Sequence, residues 1–139
     1  MPKGIKLSKI STKAPKELKK GKIVEESKEL FDQIGHLQHV IYAEKKHSVL
    51  VIFQGIDGSG KDGATKHVFS GCSPQGIRLE AFKKPSEEEM NHDFLWRIHS
   101  NAPEKGFIQI FNRSHYEDIL IQRVHHWIDE DRVQKRMAA

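Results

Sequence analysis

A single cysteine, Cys72, in a chain of 139 residues leaves no internal disulfide and no CxxC pair for a structural metal, a usage that fits a reducing compartment. No apolar run approaches the roughly 20 residues that span a bilayer, and the lysine-rich N-terminus is not followed by the apolar stretch of a secretory signal. A cytoplasmic protein with no membrane partner is the expectation. Acid is scarce in the first 22 residues, where Lys3, Lys6, Lys9, Lys13, Lys16, Lys19, Lys20 and Lys22 face only Glu17. With little apolar content to build a core, residues 1–22 read as a basic flexible arm. It is either a solvated tail or an electrostatic lure for a phosphate polymer, and since nucleic acid is attracted by the same charge, the arm specifies no nucleic-acid partner. Neither internal repeats nor further low-complexity segments occur. The composition of the whole chain, with 37% hydrophobic and 30% charged residues and a net charge of +4, is that of one soluble globular domain, assigned to residues 23–139.

Within that domain, Leu30, Ile34, Leu37 and Ile41 recur at helical spacing and predict an amphipathic helix from Ile23 to about Lys46. Val49-Leu-Val-Ile-Phe53 is an uninterrupted β-branched and aromatic run, the pattern of a strand buried on both faces in the middle of a parallel sheet. A helix is expected from Asp62 to Ser70, stopping near Gly71, and a second strand from Ile77 to Phe82. Ser86 and Glu89 have the spacing of a capping box, and Met90, Phe94, Leu95 and Ile98 extend the helix it opens to about Ser100. Phe107 to Phe111 predicts a third strand. Tyr116, Ile119, Leu120, Val124 and Trp127 then mark one face of a closing helix. Strands alternating with helices imply an α/β architecture, a parallel sheet flanked by helices through right-handed crossovers.

The chemistry concentrates where the first strand ends. Gly55-Ile-Asp-Gly-Ser-Gly60-Lys61 matches GxxxxGK, the P-loop pattern, between a strand and a helix as its mechanism requires. Gly55, Gly58, Ser59 and Gly60 let successive N–H groups turn toward phosphate oxygens, the helix start adds partial positive charge, and Lys61 places an ammonium on the terminal phosphates. Where the common pattern has a hydroxyl for Mg²⁺, this chain has Asp62 followed by Gly63, so the carboxylate either binds the metal in its own way or the metal is held elsewhere. Asp57 inside the loop is the alternative ligand, against an ordinary Asx-turn role.

Two further segments reach the same sheet edge. Asn112 stands where P-loop enzymes often carry an acid, Arg113 is suited to charge on a transferring phosphoryl group, and Glu117 joins Asp57, Asp62 and Asn112 as a candidate metal ligand. Asp118 reads instead as an acid at a helix start. Lys83 and Lys84 end the second strand and are either solvated or phosphate-binding. The adjacent His125 and His126 diverge on a helix, and His92 and His99 have no third ligand nearby, so the histidines read as surface or packing residues.

The blocks GIDGSGKDGATKHVFSG, SPQGIRLEAFKKPSEEEMNHDFLWRIH and IFNRSHYEDILIQRVH together resemble the polyphosphate kinase type 2 family, in its branch acting on nucleoside mono- and diphosphates, from about Val49 to Trp127. The resemblance implies a P-loop kinase-like fold and phosphoryl transfer from inorganic polyphosphate to AMP or ADP, or the reverse, with Mg²⁺ as cofactor and a homo-oligomeric assembly. It implies that Lys61 holds phosphate, Asp57 acts at the metal, Arg113 contacts phosphate and Lys83 lines the path of the polymer. Many family members have Asp at the position of Asn112, although the FNRSHYED form also occurs in this branch. Family proteins continue beyond the equivalent of Ala139 with a helical lid and further strands, so the chain is expected to be an N-terminal portion truncated after the third strand. The Val49–Phe53 strand would then have a free apolar edge. The competing readings are an ATP-dependent nucleotide kinase and a phosphate-binding module without turnover.

Overall fold

The β-branched run that predicts the first strand forms it at the expected residues. In the computed structural model, which describes residues 10, 11, 13 and 15–139, strand β1 spans Val49–Phe53, β2 spans Ile77–Ala81 and β3 spans Ile108–Asn112. Helix α1 (Lys20–Glu44) precedes β1, α2 (Lys61–Val68) follows it, and the short α3 (Glu87–Met90) and α4 (Trp96–Ser100) lie between β2 and β3. A π-helical turn (Glu117–Ile121), α5 (Gln122–Val124) and α6 (Glu130–Ala138) complete the order. Among the described residues no helix is long and apolar enough to cross a membrane.

The chain divides into two units, Met1–Leu30 and Phe31–Ala139. In the first, Lys3, Lys6 and Lys9 of the basic arm lie outside the described residues, whereas Lys20 and Lys22 belong to α1. Lys22 pairs with Glu26 one turn on, at 3.5 Å, so the helix starts earlier than its apolar spacing implied.

In the second unit the α/β reading holds: the three strands form one parallel sheet in the order β1-β3-β2. Strand β1 does not lie in the middle of this sheet but at its edge, as the expected free apolar edge of Val49–Phe53 required. The central strand is β3, whose Ile108, Ile110 and Phe111 are at most 5% exposed, while Leu50 and Ile52 of β1 remain 42% and 47% exposed. Composition misleads because an unbroken apolar run marks a strand without fixing its place, and β3 is buried despite carrying the polar Gln109 and Asn112. Phe82 packs edge-on against Phe111 with ring centroids 4.7 Å apart, and Ile119 closes the same core.

Two helix expectations also need correction. The capping box of Ser86 and Glu89 forms, but the helix it opens stops at Met90 instead of running to Ser100. Asp93 takes the Leu95 N–H on its side chain and the Trp96 N–H on its carbonyl, a local turn that competes with helical bonding and restarts the chain as α4. The closing helix is likewise divided, through the π-helical turn and α5, and α6 was not anticipated. Its start is nonetheless written in the sequence, since the Asp129 side chain caps the Arg132 N–H at 2.8 Å.

One close approach fixes the second half of α1. A side-chain carbon on Gly35 would lie 2.5 Å from the Gly71 carbonyl oxygen, and three residues later the buried Gln38 accepts the Ser73 N–H at 3.1 Å. Gly35→Ala is therefore expected to lower stability by about 1–3 kcal/mol, because backbone must move to admit the methyl group. Gly63→Ala, into open space on α2, should leave stability unchanged or raise it by up to about 1 kcal/mol. Thermal unfolding of the two variants checks the contrast.

Candidate phosphate-binding site

Glycine is required at two positions of the loop between β1 and α2. Gly58 and Gly60 have φ of 76° and 86°, left-handed values that side chains rarely adopt, and they turn the backbone back over the sheet edge. Gly60 is the N-cap of α2 and supplies no side-chain cap, so the first N–H groups of the helix remain open toward the cleft. Gly55 faces the Ser59 side chain, and Gly63 lies in the first turns of α2.

A cleft of about 470 Å³ opens beside this loop, lined by Asp57, Gly58, Lys61 and Asp62 from the loop and α2. Lys83 and Lys84 enter from the end of β2, and Asn112, Arg113 and Glu117 from the end of β3. The structure thus gathers nine of the residues singled out in the sequence. Gly55, Ser59 and Gly60 belong to the loop and Gly63 to α2, and none of the four lines the cleft.

Charges in the cleft are paired across it. The Lys61 side chain is only 9% exposed; its ammonium donates to the Ile56 carbonyl at 3.2 Å and lies 3.7 Å from Asp57. Arg113 pairs through Nη2 with Asp57 and donates through Nη1 to Glu117 at 2.9 Å. Burial opposes the guanidinium charge, but Glu117 and Asp57 outweigh it and hold the pKa of Arg113 above its ordinary value. In the cleft the amide nitrogen of Asn112 donates to Asp62 at 2.6 Å, and the amide oxygen of Asn112 is buried with no partner among the described residues. Because Asp62 can only accept, the amide orientation is fixed, and an unpaired acceptor is left beside a carboxylate. Lys84 stands 5.0 Å from the Trp127 ring centroid, which fixes where its charge lies.

Two contributions escaped the sequence reading. Asp118 lies in the first turn of the Glu117–Ile121 element, as expected, but its side chain is also buried in a pair: it is 3% exposed and accepts two bonds from Arg97, at 2.7 and 3.1 Å, plus one from Gln122. Arg97 also donates to the Lys83 carbonyl at 3.0 Å, so this buried pair ties the end of β2 to the segment after β3. Such a pair spans 21 residues and leaves no local signal. Gln54, the last residue before the glycines, bonds both Ser114 and Glu117; its polarity at the end of an apolar run was the available clue. Eight of the nine histidines are surface residues and His115 is half-buried; His92 stacks on Trp96 and His125 on Trp127.

A sequence profile described as Polyphosphate kinase 2 matches residues 17–139, which take in the loop, the end of β2 and the Asn112–Asp118 segment. The chain belongs to the polyphosphate kinase 2 family. It is 51% identical over 94 residues to an ADP-polyphosphate phosphotransferase of Rhodopseudomonas palustris, covering 68% of this chain and 32% of that protein. To an AMP/ADP-polyphosphate phosphotransferase of Meiothermus ruber it is 48% identical over 100 residues, covering 72% of this chain and 38% of the relative. The crystal structure of polyphosphate kinase 2 from Arthrobacter aurescens superimposes with a TM-score of 0.85 at 35% identity, over 99% of this chain and 51% of that one. The chain therefore spans about a third of the length of these curated polyphosphate kinase 2 relatives.

The buried pair beneath the cleft gives a direct stability test. Arg97→Ala strands the Asp118 carboxylate and is expected to cost about 3–5 kcal/mol, with Asp118→Asn in the same chain recovering part of the loss. Urea denaturation of the single and double variants measures both.

Proposed function

We propose that this chain transfers a phosphoryl group between inorganic polyphosphate and AMP or ADP, with Mg²⁺ as cofactor. The observation that carries the reading is the meeting of an uncapped helix start, Lys61 and Arg113 in one cleft with carboxylates at its rim. The names of the relatives, all polyphosphate phosphotransferases, support the choice of donor and acceptor.

The roles follow from charge and place. The loop amides around Gly55, Gly58, Ser59 and Gly60, with Asp62 and Gly63 opening α2, receive the terminal phosphates and Lys61 neutralises them. Arg113 exchanges its carboxylate partners for phosphate oxygens and stabilises charge on the group in transfer. Lys83 and Lys84 hold the polymer on the opposite wall. An oxygen of the nucleotide phosphate attacks the terminal phosphorus of the polymer; the bond to the next bridging oxygen breaks, and the shortened polymer leaves with the electron pair. That oxygen is already ionised at neutral pH, so catalysis is positioning and charge neutralisation without a covalent protein intermediate.

Among the described residues no three acids or histidines gather into a group that could hold a metal ion alone, but the cleft offers oxygen donors that suit a hard cation shared with phosphate. Asp57, Asp62, Glu117 and the unpaired oxygen of Asn112 offer only oxygen, and Mg²⁺ asks for one or two carboxylates alongside phosphates and water. When bound, Mg²⁺ supplies charge neutralisation between phosphates. Residues 23–139 would form the phosphotransferase domain, and the lysines of residues 1–22 would attract the polyanion to it. Sparse cysteine and the family resemblance favour a cytoplasmic homo-oligomer that requires neither nucleic acid nor a membrane.

Incubating the chain with Mg²⁺, long-chain polyphosphate and AMP or ADP should yield Lys61-dependent ADP or ATP. Lys61→Ala is expected to abolish both turnover and polyphosphate affinity; unchanged binding, read by calorimetry, would remove Lys61 from the site. Transfer from ATP but not from polyphosphate would point to an ordinary nucleotide kinase. Asp57→Asn should raise the Mg²⁺ concentration needed for half-maximal activity more than it weakens Mg²⁺-free binding, and equal losses in the two titrations would confine Asp57 to shaping the loop.

A further inference from the structure

Arg113 is held by an unusual arrangement. Its φ of 73° is left-handed, and its N–H donates to the Phe53 carbonyl at 2.9 Å, so its backbone is tied to the end of β1. Its side chain, in contrast, depends on two carboxylates, of which Asp57 is 88% exposed on a loop and Glu117 is 12% exposed. Glu117 is therefore the firmer anchor, and what orients Glu117 decides where the guanidinium stands.

That orientation comes from Gln54. The Gln54 amide nitrogen donates to Glu117 Oε1 at 3.1 Å, leaving Oε2 for Arg113 Nη1 at 2.9 Å. The direction of the amide is itself determined. Ser114 is 1% exposed and its hydroxyl oxygen accepts the Tyr116 N–H at 3.3 Å, so its proton is free to donate to Gln54 Oε1 at 3.0 Å. The amide oxygen must face Ser114, and the NH₂ group must face Glu117.

We infer that Gln54, oriented by Ser114, is a positioning residue that sets the Arg113 guanidinium in the phosphate site by locking the Glu117 carboxylate. This rests on the proposed contact of Arg113 with phosphate. Gln54 acts only through its neighbours, one bond from Glu117 and two from Arg113. Removing the amide leaves Glu117 held by Arg113 alone, and the two side chains can then shift together, restrained only by the exposed Asp57.

The test is a double-mutant cycle read as affinity for medium-chain polyphosphate with Mg²⁺, by calorimetry, with thermal unfolding recorded for every variant. Gln54→Leu, similar in volume, is expected to weaken binding by about threefold to thirtyfold, within the range of coupling between residues in one hydrogen-bond network. The melting temperature should move little. In an Arg113→Met background the same substitution should change nothing further. Ser114→Ala, a smaller perturbation that guards against misfolding of the leucine variant, should reproduce the loss and add nothing to it in the double variant. Equal losses with and without Arg113, or full affinity in Gln54→Leu, would overturn the inference while leaving the phosphate role of Arg113 intact. Full affinity in Arg113→Met would overturn that role, and the inference with it.

Discussion

The parallel pairing of β3 with both other strands is the constraint on which the site depends. Its register sets Phe53, Asn112 and Ala81 abreast, so all three strands end at one level and release their following residues to the same side. Each strand delivers a different ingredient: β1 the glycine loop, β2 the lysines and β3 the polar segment from Asn112 to Glu117. A shift of one residue in either pairing would turn every side chain of that strand to the opposite face and pull its contribution out of the cleft. The hydrophobic interior of β3 is thus what gives the polar edge its geometry.

A second tie operates beneath the cleft, where the ion pair of Arg97 and Asp118 is fully withdrawn from solvent. Charges buried in this way are rarely a net gain in stability, because removing both from water costs about as much as their attraction returns. Their value here is placement. Arg97 reaches the Lys83 carbonyl, and Asp118 lies one residue beyond Glu117, so the pair sets the distance between the two walls that carry the lysines and the arginine. Above it, the rim pairs of Arg113 with Asp57 and Glu117 are more exposed and exchange partners more readily, as a binding site requires.

Much of this was legible in the amino-acid order. The strand spanning Val49–Phe53, the glycine loop, the capping box at Ser86 and the chemistry-bearing residues of all three strand ends follow from local pattern, because turns, caps and buried runs are decided by neighbours in sequence. What failed was decided by partners far away. The central position of β3 depends on which strands flank it. The break after Met90 depends on Asp93 preferring a local turn to helix continuation, and the role of Asp118 depends on an arginine 21 positions earlier. Gln54 illustrates the boundary: its polarity at a strand end was visible, but its partners at Ser114 and Glu117 lie about 60 residues on and meet it only in three dimensions.

The uncapped start of α2 has a consequence for the protein outside any reaction. Donors that no side chain satisfies suit the phosphate role proposed for the loop, and an anion bound there would add stability in proportion to the logarithm of its concentration over its dissociation constant. The folding equilibrium of this chain would then be coupled to its ionic surroundings. Under the proposed phosphate role, its resistance to unfolding would be a property of protein and medium together.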